Sequence, residues 1–256
     1  MLRARNLAAA LFLLLCSAAR GEWTVVSSEQ QAAGRASVTH FKAVAAEGET
    51  GARATLHLAV FSPKTATLRM IDDANARPSL AETMQRENAI AGVNGGYFEA
   101  DHTPLGLLVA DRRMVAPLRK ARLLSGVVSA DKGRVQVQRV AEFSLAAKSA
   151  NARQSGPFLV DRGTAVPGLN ATRAARRTFV ATAGADTAAI GYSSHLTLAQ
   201  IGAVLATRGV IPEVKLQRAL NLDGGSSSAF WFAGSSEPFS ISEQKTVRDF
   251  VAIVPR

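Results

Sequence analysis

The chain has 256 residues, with 30 lysines and arginines against 20 aspartates and glutamates, a formal net charge of +10 and one cysteine. A lone cysteine excludes a disulfide framework and thiolate-rich metal sites. The 47% apolar content excludes a disordered chain, and the 6% aromatic content leaves few platforms on which the bases of a single-stranded nucleic acid would stack.

Arg3 and Arg5 precede an apolar stretch from Leu7 to Cys16, followed by the small residues Ser17, Ala18 and Ala19. This is the pattern of a secretory signal peptide, with cleavage expected after Gly21, and the stretch is short for a bilayer span. Leu15 stands where a lipoprotein signal has a small residue, which argues against lipidation of Cys16. Residues 1–21 are therefore read as a leader and 22–256 as a single domain, whose charge falls to about +7 without Arg3, Arg5 and Arg20. The expected setting is exported, periplasmic or secreted, with no integral membrane segment in the mature chain. Export, together with arginines scattered except at Arg173, Arg176 and Arg177, argues against nucleic acid as a partner.

From Trp23 to Ile71 the pattern is β: RATLHLAVFS from Arg53 and ATLRMID from Ala66 alternate across Ser62-Pro63-Lys64 and predict a hairpin. Ser79 and Glu82 form a capping-box pattern ahead of a short amphipathic helix, which hands over to a strand from Ala89 to Val93. Two short strands turning at Asp111 and a hairpin turning at Asp131-Lys132-Gly133 follow. Lys148 to Arg177 is rich in glycine and proline and reads as a long loop holding one short strand, Phe158 to Val160. A strand pair from Thr178 to Ala183 and from Thr187 to Tyr192 precedes the clearest helix, capped by Thr197 and Gln200 and stopped at Gly209. Strands from Ala219 to Leu222, Ala229 to Phe232 and Asp249 to Val254 close an α+β fold, a single domain with mixed or antiparallel β-sheets and a few helices.

Two glycine-rich segments stand out, NGGYF (Asn94, Gly95, Gly96, Tyr97, Phe98) and NLDGGSSS from Asn221 to Ser228, each following an apolar run. Glycine permits close approach of backbone to a ligand, and the flanking Asn, Asp and Ser supply polar groups suited to sugars and phosphates. Asp223, between an apolar strand and Gly224-Gly225, is placed to project a carboxylate into a cleft. As an isolated Asp-Gly pair it would be a turn, but Ser226 and Ser227 add hydroxyls and possible anion-binding amides. Asn94 with Gly95 is by itself a hairpin-turn signal. The serines do not form a nucleophile elbow, because Ser228 stands where that motif has glycine. His40, His57, His102 and His195 form no metal motif, so no metal cofactor is expected; Glu99, Asp101 and His102 are the one grouping that could take a divalent cation.

NGGYF followed by Pro104-Leu105-Gly106, then Arg177-Thr178, then NLDGGSSS resembles the phosphodiester glycosidase family, in the family's order and over roughly Ala89 to Phe232. Ser226 replaces a usual third glycine, and FVATAG follows where a glycine-containing stretch is typical. The resemblance implies cleavage of a sugar-1-phosphodiester in a phosphorylated carbohydrate or envelope glycan. A phosphate monoester leaves readily, so one carboxylate and one cation suffice in place of two carboxylates. The catalytic pair so implied is Asp223, which stabilises the oxocarbenium-like centre or activates water, and Arg177, which grips the phosphate. Asn94, Gly95, Gly96, Tyr97, Phe98, Gln154, Gly224, Gly225, Ser226 and Ser227 are the expected substrate-binding residues. A non-catalytic phosphoglycan-binding envelope protein would use the same cradle without turnover, and a purely structural envelope protein would use the loops as turns.

Overall fold

The computed structural model describes residues 22–75 and 78–256, so the leader lies outside the described residues. Among the described residues the fold is strand-dominated, built on three sheets whose registered strand pairs are all antiparallel, with two α-helices. The large sheet has eight strands in the order Trp23–Ala32, Thr39–Glu47, Arg53–Phe61, Ala188–Leu196, Ala175–Thr182, Arg218–Asn221, Phe158–Asp161 and Thr164–Ala165. A second sheet orders Arg113–Ala116, Leu108–Ala110, Asn151–Ser155, Gly126–Asp131 and Arg134–Arg139. The third orders Phe239–Ile241, Phe230–Phe232, Ala91–Asn94, Asp249–Pro255 and Ala66–Asp72. Among the described residues no helix is long and apolar enough to cross a membrane.

Period-two patterning distributes side chains between layers. In the large sheet, Val180 and Ile190 enter a core shared with Leu108 and Val128 of the second sheet and Val93, Phe230 and Val251 of the third. Phe179 and Ala181, pointing the other way, pack with Ile201, Val204 and Leu205 of the helix Leu198–Ala206. The third sheet repeats the device: Trp231, Phe250 and Ala252 face Leu80 and Met84 of the helix Leu80–Arg86. Both helices open on complete capping boxes, Ser79 with Glu82 and Thr197 with Gln200, which satisfy otherwise orphaned amides.

Three expectations are corrected. Arg53–Phe61 and Ala66–Asp72 are not a hairpin; the turn after Ser62 carries the chain out of the large sheet into the third. The stretch after Lys148 is not mainly loop, because Asn151–Ser155 is a fully buried strand whose polar side chains hid its pattern. The second helix ends at Thr207, two residues before Gly209, whose φ of +91° turns the chain beyond the cap.

His40 and His57, on neighbouring strands, are buried against Phe230, Phe232 and Phe239 with their Nε2 and Nδ1 atoms 3.0 Å apart. One ring nitrogen carries the proton and donates to the other. Burial, with Lys42 nearby, lowers both imidazoles from 6.5 to about 4. The unfolded chain therefore takes up protons that the folded pair refuses, and stability falls as pH drops through 6.5 towards 4. Urea unfolding should show a flatter acid limb in a His40→Leu, His57→Leu double variant; an unchanged limb would assign the acid sensitivity elsewhere.

Candidate active site

The two glycine-rich loops leave neighbouring sheets and meet edge to edge. NGGYF extends from Ala91–Asn94 of the third sheet, and Leu222-Asp223-Gly224 extends from Arg218–Asn221 of the large sheet. The Asp223 amide donates to Gly95 O at 3.1 Å and the Asn94 Nδ2 donates to Asp223 O at 2.8 Å. The Thr178 hydroxyl, 2.9 Å from both Asn94 Oδ1 and Asp223 O, donates to one of them. Ala229 N also donates to Asn94 Oδ1, at 3.2 Å. Asn94 is fully buried, so its carboxamide acts as a clasp between the loops and has no direct route to a sugar hydroxyl.

Asp223 is half-buried at the mouth of this junction, with Oδ1 accepting from Gly224 N at 2.9 Å. Burial pushes its carboxyl above the ordinary carboxylate range, opposed first by the nearby Ser227 hydroxyl and then by Lys245. That hydroxyl approaches without completing a hydrogen bond of good geometry. Arg177 enters from the adjacent strand Ala175–Thr182; Nε donates to Leu196 O at 3.2 Å and Nη2 to Arg173 O at 2.9 Å. Its Nη1 carries no hydrogen bond among the described residues and lies 3.2 Å from where a Cβ on Gly224 would stand. The glycine thus leaves the space into which the guanidinium faces. Burial lowers the Arg177 pKa, while Tyr97 and Asp223 oppose the shift. After Gly224 the chain takes φ of +67° at Gly225 and forms a short 3-10 turn, Gly225–Ser227, whose leading amides have no intrahelical partner.

On the other wall, Tyr97 OH donates to Gly156 O at 2.7 Å and accepts from Asn221 Nδ2 at 3.0 Å. Burial, reinforced by the Asp223 charge, raises the phenol to about 12, so it remains a neutral hydrogen-bonding group. Phe98 is half-buried, stacked on His102 with ring centroids 5.1 Å apart, and Lys245 Nζ stands 5.1 Å from the Phe98 ring centre. Gln244 N donates to Ser226 O at 2.7 Å, tying the segment that bears Lys245 to the Asp223 loop.

Beneath the loops lies an ion pair that the sequence did not disclose. Arg153 donates to both oxygens of Asp249, through Nε at 2.9 Å and Nη2 at 3.0 Å, with both side chains completely buried. Arg153 Nη2 also holds Tyr97 O at 2.7 Å, and Asp249 O accepts from Gly95 N at 2.6 Å. Gly96 has no left-handed φ; its role is space, because a Cβ there would stand 2.6 Å from the Arg153 guanidinium carbon. The only sequence signals were a charged residue opening an apolar strand at Asp249 and an arginine beside Gln154, neither of which points to the other.

Of the expected binding residues, Tyr97, Phe98, Gly224, Gly225 and Ser226 line the accessible mouth, whereas Asn94, Gly95, Gly96, Gln154 and Ser227 are buried behind it. Gln154 is saturated by backbone groups: Oε1 accepts from Leu107 N and Arg119 N, and Nε2 donates to Arg119 O and Leu124 O. The possible cation grouping does not assemble. No cluster of three or more metal-ligating side chains exists among the described residues; Asp101 instead binds Thr103 N at 2.9 Å and His102 stacks on Phe98. A separate cleft of about 550 Å³ is lined by Arg134, Gln136, Arg162, Thr182, Arg218 and Glu142, and its only carboxylate, Glu142, is committed to Arg218.

A carboxylate and a partly free guanidinium thus stand on adjacent strand ends beside a glycine-rich clasp. Residues 87–254 match the phosphodiester glycosidase family, and the chain belongs to that family. Among solved structures, the catalytic domain of zebrafish N-acetylglucosamine-1-phosphodiester alpha-N-acetylglucosaminidase, auto-inhibited by its pro-peptide, has the same fold. Its TM-score is 0.65 at 15% identity, covering 90% of this chain and 89% of that one. A hypothetical protein from Synechocystis aligns with a TM-score of 0.63 at 14% identity, covering 86% of this chain. The chain spans about 62% of that protein. No curated protein matches the sequence significantly.

Asp249→Ala would strand a buried guanidinium and should cost about 3–5 kcal/mol in denaturant unfolding. Replacing both partners, Arg153→Met with Asp249→Leu, should recover much of that loss. A cost below about 1 kcal/mol for Asp249→Ala would show that the pair does not hold the loop.

Proposed function

We propose that this chain is an exported hydrolase, with residues 1–21 as its cleaved leader and 22–256 as its glycosidase domain. It cleaves the glycosidic bond of a sugar-1-phosphodiester in a glycan or envelope polymer. The observation that carries this reading is that Arg177, whose Nη1 makes no hydrogen bond among the described residues, stands beside Gly224 within the electrostatic influence of the Asp223 carboxylate. The zebrafish enzyme, whose name states an N-acetylglucosamine-1-phosphodiester substrate, supports the same reaction class.

In the reaction, the bond from the anomeric carbon to the phosphate oxygen breaks and its electron pair leaves with the phosphate monoester. Arg177 Nη1, with the leading amides of the Gly225–Ser227 turn, stabilises that departing charge. The Asp223 carboxylate faces the positive charge developing at the sugar and takes the proton from the water that supplies the new hydroxyl. Its raised pKa makes it a better base than an exposed aspartate. Phe98 and Tyr97 bound the sugar side, and Lys245 over Phe98 adds a second cation at the mouth.

Release of free sugar from a sugar-1-phosphodiester should fall about 100-fold or more in both Asp223→Asn and Arg177→Ala, with circular dichroism unchanged. Retention of normal rates by both folded variants would falsify this assignment, and saturable binding without release would favour the non-catalytic alternative. The acid limb of kcat should lie above the usual aspartate range and disappear from any residual activity of Asp223→Asn.

The same raised pKa has a stability consequence. A carboxyl raised in the folded state stabilises the fold at low pH, and that contribution is lost as pH rises through the folded pKa. Asp223→Asn should therefore have a higher Tm than wild type at neutral pH, with the gap closing as pH falls. A lower Tm at neutral pH would contradict the burial cost assigned to the carboxylate.

A further inference from the structure

We infer that the loop 117–123 is a specificity element that grips a second negative charge on the substrate, at a distance from the scissile phosphodiester. The inference rests on the proposed hydrolysis at Asp223 and concerns what else the substrate carries. The loop reads PLRKARL, and no acid occurs between Asp111 and Asp131. Arg119, Lys120 and Arg122 are all exposed, and their side chains make no ion pair or hydrogen bond among the described residues. By contrast, Arg69, Arg112, Arg113, Arg139 and Arg218 each hold a carboxylate. The loop's charge is thus left for something outside the chain.

Its backbone, meanwhile, is fixed. Gln154 grips the loop at both ends, accepting from Arg119 N at 3.0 Å and donating to Arg119 O at 2.7 Å and Leu124 O at 3.1 Å. Leu124 N closes a turn onto Ala121 O at 3.1 Å, and Ser125 N bonds Leu123 O at 2.9 Å. This is a loop held still with three free cations displayed on it, and a fully buried glutamine spends three of its four hydrogen bonds on doing so. Gln154 is a positioning residue for the loop.

The loop also lies beside the proposed active site. Leu123 O packs directly against the Gly156 α-carbon, leaving no room for a side chain there, and Gly156 O accepts the Tyr97 hydroxyl at 2.7 Å. Tyr97 in turn feels the charges of Asp223 and Arg177. Gly156 and Tyr97 therefore stand between the loop and the proposed reacting centre. On the NGGYF side the exposed acids Glu99 and Asp101 stand with Lys245 over the Phe98 ring, a mixed surface, whereas the 117–123 side carries cations alone, so an anionic extension is favoured along the loop. The ligand chemistry is a phosphate or carboxylate carried on the group attached to the scissile phosphodiester or repeated along a polymer.

The test compares three sugar-1-phosphodiesters whose alcohol is methyl, a short chain ending in phosphate, or the same chain ending in carboxylate. Wild type should favour at least one charged substrate over the methyl one by about tenfold in kcat/KM, mostly through KM. The preference should shrink on raising salt from about 50 to about 300 mM as exposed charges are screened. In Arg119→Gln, Lys120→Gln, Arg122→Gln the ratio of charged to methyl substrate should fall to about one. Gln154→Leu, which keeps the cations and frees the loop, should lower the same ratio. Absence of any preference in wild type, or its full retention in the triple variant, overturns the inference while leaving hydrolysis at Asp223 standing. If wild type hydrolyses none of the three, the hydrolytic reading itself fails and takes this inference with it.

Discussion

The buried pair of Arg153 and Asp249 is the constraint on which the site depends. Two opposite charges withdrawn completely from water are costly to bury, and the cost is offset only when every donor and acceptor is used. Here that completeness is achieved by recruiting the loop: Tyr97 O, Leu105 O and the Gly96 amide complete the coordination of the two side chains, and the Gly95 amide donates to the Asp249 backbone carbonyl. NGGYF is consequently held as rigidly as a strand although it lies beyond the end of one. The glycines in it provide room for a guanidinium and a carboxylate to reach the backbone.

That rigidity is passed on to the chemistry through Asn94. Its carboxamide joins the NGGYF loop, the Asp223 backbone and Thr178 on the strand that also carries Arg177. A shift of the first loop would therefore move the carboxylate relative to the guanidinium. The division of labour is clear in the burial pattern. Asn94, Gly95, Gly96 and Gln154 form a buried frame, and Asp223, Tyr97, Phe98 and Gly224 to Ser226 stand at the accessible surface of it. In the proposed reaction the leaving group needs no protonation, so the frame would have to place one acid and one cation rather than two acids at a fixed separation.

Much of this was legible in the chain because local physics dominates there. The two capping boxes and the turn at Asp131-Lys132-Gly133 each resolve within a few residues, and the structure has them in place. The ordered motifs likewise singled out Asp223 and Arg177, and the structure places the Arg177 Nη1 beside Gly224, the residue after Asp223. What was not legible depends on partners remote in sequence. Arg153 and Asp249 are 96 positions apart, and each alone reads as a loop arginine and a strand-opening acid. Asn151–Ser155 was hidden for the same reason: a strand buried through polar side chains lacks the apolar alternation by which strands are recognised. Gln154 was expected to bind substrate, but its side chain is fully buried and bonded to the backbone of Leu107, Arg119 and Leu124, an arrangement no periodicity could disclose. The hairpin expected across Ser62 failed because adjacent strands joined by a short turn can still enter different sheets once each has a better partner.

The central claim is that bond breaking occurs between the anomeric carbon and oxygen, under Asp223, with phosphate as the departing group. Hydrolysis of a sugar-1-phosphodiester in ¹⁸O-labelled water, followed by mass spectrometry of both products, tests it most directly. The account predicts the label in the anomeric hydroxyl of the released sugar and none in the phosphate monoester. Label in the phosphate would mean attack at phosphorus and would contradict the roles given to Asp223 and Arg177.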